Sequence, residues 1–249
     1  MNLEGKVAVV TGGTGGLGFR ICKKLAGAKM KIALVYLNSK DKASRYSDEL
    51  KNDGAEVLAV QADVTTEDGI QKMMDETLSC FKSLDALVLN AAFNQWVEYQ
   101  NLDGLTPEIW EKIISSNLTA PYLAIRAIGP FMKNNGGGRI VTISSVAGFT
   151  PVGSSIAYSV SKAALIQLTR CMAVALAPSV LVNGVAPGLM EGTRMTDNLD
   201  PVYADKARRS ALIQKAADRD DVADAVRLFI ETDSITGQNL LVDGGRFFH

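Results

Sequence analysis

The sequence predicts an α/β protein, a single-domain Rossmann-type fold over residues 1–249 with a doubly wound, parallel, seven-stranded sheet and helices on both faces. Three observations predict it. Short β-branched runs alternate with longer helical segments along the whole chain, the pattern of strands joined by crossover helices. Two of those runs, Val7-Ala8-Val9-Val10 and Ala86-Leu87-Val88-Leu89, are apolar at every position, as strands covered on both faces are. The first of them leads straight into a glycine-rich turn, Thr11 to Gly18, and then a helix.

Taken in order, the first half alternates strictly. The strand Val7–Thr11 precedes a helix at Gly16–Lys29. The strand Lys31–Leu37 precedes a helix at Asp41–Asn52, and Glu56–Gln61 one at Glu67–Phe81. A fourth strand follows at Ala86–Asn90. The second half continues with a helix from about Pro107 to Lys133, in which Pro121 is expected to cause a bend. Gly136-Gly137-Gly138 reads as a tight turn into the strand Arg139–Ser144. A helix from about Ser155 to Ala177, a strand at Leu181–Val185, a helix near Asp220–Glu231 and a strand at Asn239–Val242 complete the pattern. No repeat or low-complexity linker divides the chain. Its least regular stretch, Leu189 to about Lys215, is expected to be a substrate lid.

Composition narrows the chemistry. With 249 residues, 47% hydrophobic and 21% charged, the chain can bury a core large enough to offset its ordering entropy. Twenty-six Lys and Arg against 27 Asp and Glu leave a formal charge of −1, so neither nucleic acid nor an anionic membrane is an expected partner. Cys22, Cys80 and Cys171 are odd in number, far apart and without CxxC spacing, which reads as reduced thiols in a cytoplasmic protein. The single histidine is the last residue, His249, so a Ser/His/Asp triad or a polyhistidine zinc site is not expected, and no metal is. Met1 to Lys6 carries no basic, signal-like start, and no apolar stretch approaches the ~20 residues of a membrane span.

Proton chemistry must then use other groups. In Thr11-Gly12-Gly13-Thr14-Gly15-Gly16-Leu17-Gly18, glycines permit a tight turn and close backbone approach, and the following helix offers free N–H groups to a pyrophosphate. An acidic residue about 20 positions on would read a free ribose 2′-hydroxyl. The chain has Val35-Tyr36-Leu37-Asn38-Ser39-Lys40 there, with no carboxylate. Asn38, Ser39 and Lys40 would accommodate a 2′-phosphate, which points to NADP(H) over NAD(H), or else they simply begin a solvated helix. Asp63 is an adenine acceptor, or simply a turn residue or helix cap. Downstream, Tyr158 and Lys162 stand i and i+4 on one helical face. The ammonium is expected to lower the phenol's pKa and make it an acid or base. Ser144-Ser145 ends a strand upstream, where a hydroxyl can bind a substrate carbonyl.

Together these motifs resemble the short-chain dehydrogenase/reductase family over nearly the whole chain. Thr11-Gly12, Gly16 and Gly18 match its nucleotide loop, and Asp63-Val64 its adenine-contact pair. Asn117, Ser145, Tyr158 and Lys162 match its active-site set, with Ser145 lying 13 residues before Tyr158. Asn183, Pro187-Gly188 and Thr193 resemble the segment beside the nicotinamide, and Asp243-Gly244-Gly245 the C-terminal turn. The resemblance implies that Tyr158 transfers the proton, Lys162 holds the nicotinamide ribose, Ser145 orients the carbonyl and Asn117 organises a water relay. It implies cofactor contacts at Thr11, Gly12, Gly16, Leu17, Gly18, Asn38, Ser39, Asp63, Val64, Asn90, Ala91, Pro187, Gly188 and Thr193. Two departures stand out. Leu89-Asn90-Ala91-Ala92 replaces the common Asn-Asn-Ala-Gly, and Gly192 lengthens the spacing to Thr193 by one.

The implied activity is reversible interconversion of a small-molecule carbonyl and a secondary alcohol. Alternatives are a 3-oxoacyl reductase acting on an acyl-carrier-protein or CoA thioester, and a non-catalytic nucleotide sensor. Phe93, Trp96, Phe149, Val152, Leu189 and Met190 are candidates for an apolar substrate wall, with Asn94, Gln95, Ser154 and Glu191 as polar readers. The helices at Pro107–Lys133 and Ser155–Ala177 carry surplus apolar positions, which together with the tail Arg246-Phe247-Phe248-His249 predicts a homodimer or homotetramer.

Overall fold

The computed structural model describes residues 1–193, 196 and 201–248, Pro201 through its backbone alone; His249 and part of the expected lid lie outside the described residues. Seven parallel strands form one sheet in the order β3-β2-β1-β4-β5-β6-β7. They are β1 (Val7–Val10), β2 (Lys31–Tyr36), β3 (Val57–Gln61), β4 (Ala86–Leu89), β5 (Gly138–Ile143), β6 (Val180–Pro187) and β7 (Asn239–Val242). The helices are α1 (Gly16–Gly27), α2 (Lys40–Asn52), α3 (Glu67–Phe81), α4 (Pro107–Ile114), α5 (Ala120–Asn134), α6 (Ile156–Leu176), α7 (Pro201–Ser210) and α8 (Arg219–Glu231). The chain winds outward from β1 to β3, then crosses back to β4. A crevice therefore opens at the carboxyl ends of β1 and β4, where open α/β sheets bind ligands.

Strict alternation within the apolar strands explains why they carry no polar face. Ala8, Val10, Ala86 and Val88 enter the core beneath α1 and α8, while Val9, Leu87 and Leu89 enter the one beneath α3, α5 and α6. Each fully buried Val or Leu contributes about 1.5–3 kcal/mol. The lower end of the β1–β4 pair is held by Asp85, whose carboxylate accepts from Lys6 Nζ at 3.0 Å, Val7 N–H at 2.9 Å and Ser83 Oγ at 2.8 Å.

Three elements differ from the sequence expectation. The helix expected over Pro107–Lys133 is broken into α4 and α5 by a π-helical turn at Ser115–Thr119, where Ala120 N–H reaches back five residues to the Ser115 carbonyl. Pro121 follows at once and has no N–H to offer the carbonyl of Asn117, so the distortion sits before the proline as a widened turn. The stretch expected to be irregular after Leu189 contains α7, ten residues whose arginines stand in its last turn. Strand β6 runs on to Pro187, pairing with β7 along that extension. The turn at Gly136 and Gly137 is as expected, with φ of +93° and +91°.

Candidate active site

The glycine loop is built for close approach. Gly12 has φ +64°, and a Cβ there would lie 3.0 Å from Ala91 Cα. On Gly18 a Cβ would come within 2.2 Å of the Gly12 carbonyl oxygen, so a larger residue would force α1 away from the loop. Gly15 caps α1 without a side-chain hydrogen bond, and the first turn contains no acid. The leading N–H groups of Gly16, Leu17 and Gly18 are thus presented at the crevice with the positive end of the helix dipole.

Thr11 and Asn90 hold this loop against the end of β4. Thr11 Oγ1 accepts from the N–H groups of Asn90 and Ala91, both at 3.0 Å, while Asn90 Nδ2 donates to the carbonyls of Thr11 and Gly12 at 3.0 and 3.2 Å. These side chains shape the loop, leaving its backbone to face the crevice. Leu89 is 4% exposed and packs in the core beneath α3 and α5, so the departure from the common asparagine is absorbed by the interior.

Across the crevice stand Ser145, Tyr158 and Lys162. The end of β5 leads into Ser145, which caps a short 3₁₀ turn by accepting from Ala147 N–H at 3.2 Å. Ser155 caps α6 by accepting from Tyr158 N–H at 3.2 Å, which fixes Tyr158 in the first turn. One turn later, Lys162 is 3% exposed, donates to the Ile143 carbonyl at 2.9 Å and holds its ammonium 5.7 Å from the Tyr158 ring centroid. That bond ties α6 to the end of β5.

The expected lowering of the Tyr158 pKa is not what this geometry produces. Burial pushes the phenol up; its hydrogen bond with Ser145 pulls the other way, and Tyr203 of α7 adds to the upward push. Lys162 answers burial in the opposite sense and is lowered to about 8. Its ammonium is turned to the Ile143 carbonyl, so the pair is set by desolvation more than by mutual attraction.

Asn117 lies in the π-helical turn, where its side chain is fully committed. Its Oδ1 accepts from Phe93 N–H at 2.8 Å, while Nδ2 donates to the Phe93 carbonyl at 2.9 Å and to Ser161 Oγ at 3.1 Å. Ser161 Oγ in turn donates to the Tyr158 carbonyl at 2.7 Å. The side chain is therefore a clamp between the loop after β4 and α6, with its amide engaged by Phe93 and Ser161 and not turned to the water relay that the family resemblance implies.

On the β2–β3 side, Asn38, Ser39 and Lys40 are exposed at the mouth, Ser39 capping α2 without a side-chain bond. Asp63 is half-buried, as is Val64. The Asp63 Oδ1 accepts from the N–H and hydroxyl of Thr65, so the turn role read from sequence is present. On the other side, Gly188 N–H donates to the Val242 carbonyl at 2.9 Å, which holds the chain to the end of β7 as it leaves Pro187 over the crevice. The added residue Gly192 takes φ +68°, and buried Thr193 bonds its hydroxyl to that of Thr196 at 3.1 Å.

The expected substrate wall is only partly assembled. Phe93 is half-buried with Lys112 Nζ 4.4 Å above its ring, and Phe149 and Val152 are half-buried before α6. Trp96 is half exposed and meets Tyr203 edge-on at 5.3 Å. Leu189 offers its carbonyl to Ala217 N–H at 2.8 Å, and half-buried Met190 packs against the core beneath α1 and α8. Gln95 and Glu191 are exposed, Glu191 pairing with Arg208, whereas Ser154 is 8% exposed and its hydroxyl has no hydrogen-bond partner among the described residues. Sequence reasoning missed Tyr203, whose only signal was an aromatic residue inside the irregular stretch.

The short chain dehydrogenase family matches residues 6–204 of the chain. A 3-oxoacyl-(acyl-carrier-protein) reductase from Synechocystis sp. is 35% identical over 248 residues, covering 98% of this chain and 97% of that one. Among solved structures, a short chain dehydrogenase from Burkholderia cenocepacia J2315 in complex with NADP superposes with a TM-score of 0.89 at 32% identity, covering 99% of both chains. An NADPH-dependent 3-quinuclidinone reductase from Rhodotorula rubra gives a TM-score of 0.89 at 28% identity, covering 98% of this chain and 92% of its own.

Proposed function

The chain belongs to the short-chain dehydrogenase/reductase family, and we propose that it interconverts a ketone and a secondary alcohol with an NAD(P)(H) cofactor. The observation that carries this reading is the meeting of Ser145, Tyr158 and Lys162 across the crevice from an uncapped, glycine-lined helix N-terminus. That loop fits a dinucleotide: the helix N-terminus has neither a capping side chain nor an acid in its first turn, and Gly12 and Gly18 allow the close packing of loop, helix and Ala91 that a Cβ at either position would break. When bound, the nicotinamide supplies the hydride chemistry. Tyr158 exchanges a proton with the substrate oxygen, and its upward-shifted phenol is protonated at neutral pH, ready to donate during carbonyl reduction. Ser145 holds the same oxygen by a hydrogen bond. Lys162 contributes positive charge from beneath Tyr158 and holds the nicotinamide ribose, while Asn117 keeps Phe93 and α6 in register.

Tyr158→Phe tests the reading. Cofactor affinity should stay within about twofold while turnover falls by about 100-fold or more, the usual worth of a positioned acid. Near-normal turnover at neutral pH would remove Tyr158 from the chemistry, and tight cofactor binding with no turnover on any carbonyl or alcohol would favour the sensor.

Preference for NADP(H) is supported by the lack of a carboxylate in Leu37-Asn38-Ser39-Lys40 directly after β2, the exposure of that run, and the NADP-bound and NADPH-dependent neighbours. The Synechocystis relative supports a second substrate reading, a 3-oxoacyl thioester; comparing such a thioester with simple ketones separates the two. Self-association through α5 and α6 fits the exposed Tyr122, Val160 and Val174, the last 82% exposed. A cytoplasmic location fits the three free cysteines.

A further inference from the structure

Arg219, the first residue of α8, is not among the residues that the sequence singles out, yet its guanidinium lies beside the N-terminus of α1. Nη1 donates to the Gly192 carbonyl at 2.8 Å. The same nitrogen would stand 3.4 Å from a Cβ on Gly16 and 3.2 Å from one on Gly192, so the cation fills the seam between the glycine loop and the segment after β6. A guanidinium has five N–H donors. Among the described residues, the Gly192 carbonyl takes the only hydrogen bond they make.

The neighbouring carboxylates are engaged elsewhere. Asp218 caps α8 by accepting from Asp220 N–H at 2.7 Å, and Asp220 pairs with Arg20 at 3.6 Å. A partly buried cation with unused donors thus faces a helix N-terminus that has no capping side chain and no acid in its first turn. Two positive features converge on one place, and an anion is what would join them.

We infer that Arg219 is a ligand of the cofactor diphosphate, specifically of its nicotinamide-side phosphate. This rests on the dinucleotide reading above. In that reading the adenosine lies toward β2 and β3, and the nicotinamide toward Tyr158 and Lys162. Arg219 stands on the β6 side of the loop, against Gly192, and so beside the second of the two phosphates. Because the same guanidinium holds Gly192, it also keeps the segment leading to Thr193 folded over that phosphate.

Titration calorimetry on the full chain with ADP and with AMP tests this, since only ADP carries a second phosphate. Arg219→Gln should weaken ADP by about tenfold or more, the usual worth of a hydrogen bond to a charged group, and leave AMP within about twofold. Arg219→Lys should recover part of the loss. Unchanged ADP affinity, or equal weakening of ADP and AMP, would overturn the assignment and leave Arg219 as a structural tie. If the wild-type protein binds neither NAD(H) nor NADP(H), the dinucleotide reading itself fails; wild-type binding with an indifferent Arg219→Gln overturns the inference alone.

Discussion

Replacing Lys162 with Met should abolish a pH dependence of stability that the wild-type protein carries between about pH 8 and pH 10. The folded lysine titrates near 8 against an ordinary 10.5, with burial as the cause. Below pH 8 the ammonium is charged in both states, and the folded state bears the full cost of burying it. As pH rises through 8, the folded lysine loses its proton while the unfolded one keeps it, so stability rises until about 10.5. The whole effect is about 3 kcal/mol at 1.36 kcal/mol per pH unit, of which about 2 kcal/mol accrues between pH 8 and 10. Tyr158 acts in the opposite direction only above pH 10: its pKa is raised, so the unfolded phenol ionises first and stability falls there. Urea unfolding of cofactor-free wild-type and Lys162→Met protein at pH 7, 8, 9 and 10 measures the difference. The variant also loses the bond to the Ile143 carbonyl, but that offset is the same at every pH and cancels in the slope. In thermal unfolding, 2 kcal/mol should appear as about 4–8 °C for a chain of this size. Parallel stability curves for the two proteins over this range would refute the argument that desolvation governs Lys162.

Gly18→Ala should abolish NADP(H) binding and lower stability by about 1–3 kcal/mol, because its Cβ meets the rigid Gly12 carbonyl at 2.2 Å; calorimetry and urea unfolding report the two losses. Asp85→Ala leaves Val7 N–H and Ser83 Oγ without their acceptor and should cost about 1–3 kcal/mol with little change in KM, read by chemical denaturation beside steady-state kinetics. The ratio of kcat/KM for NADPH over NADH should exceed one and fall on Lys40→Glu; a clear NADH preference in the wild-type protein contradicts the reading of the β2 end. Deleting residues 247–249 should weaken self-association measured by light scattering, since Phe248 is 81% exposed in the isolated chain; an active monomer before deletion would defeat the oligomer proposal.

The candidate catalytic face was legible because its spacing is local. Tyr158 and Lys162 share a face of α6 by helical geometry alone, and the glycine loop is contiguous between β1 and α1. Desolvation was not legible, since it depends on neighbours that arrive from elsewhere in the chain. Lys162 faces the Ile143 carbonyl 19 residues away, and burial, with a smaller push from Tyr203 of α7, raises Tyr158, so the direction expected from the i, i+4 pair alone is reversed for the phenol. The π-helical turn at Asn117 was half legible: Pro121 marked a disturbance, but its form depends on how α4 and α5 pack around Phe93 and Ser161.

The succession of the seven strands, the parallel sheet, the glycine loop and the placing of Tyr158 and Lys162 on one helical face all follow from the sequence alone. Periodicity, glycine placement and short spacings encode each of these within a few neighbouring residues. The folded chain was needed to see that Asn117 is a clamp, that Met190 packs against the core, and that Arg219 stands beside Gly16 and Gly192. Those facts depend on contacts between segments tens to hundreds of residues apart, whose distances are set by how the two helical layers close over the sheet.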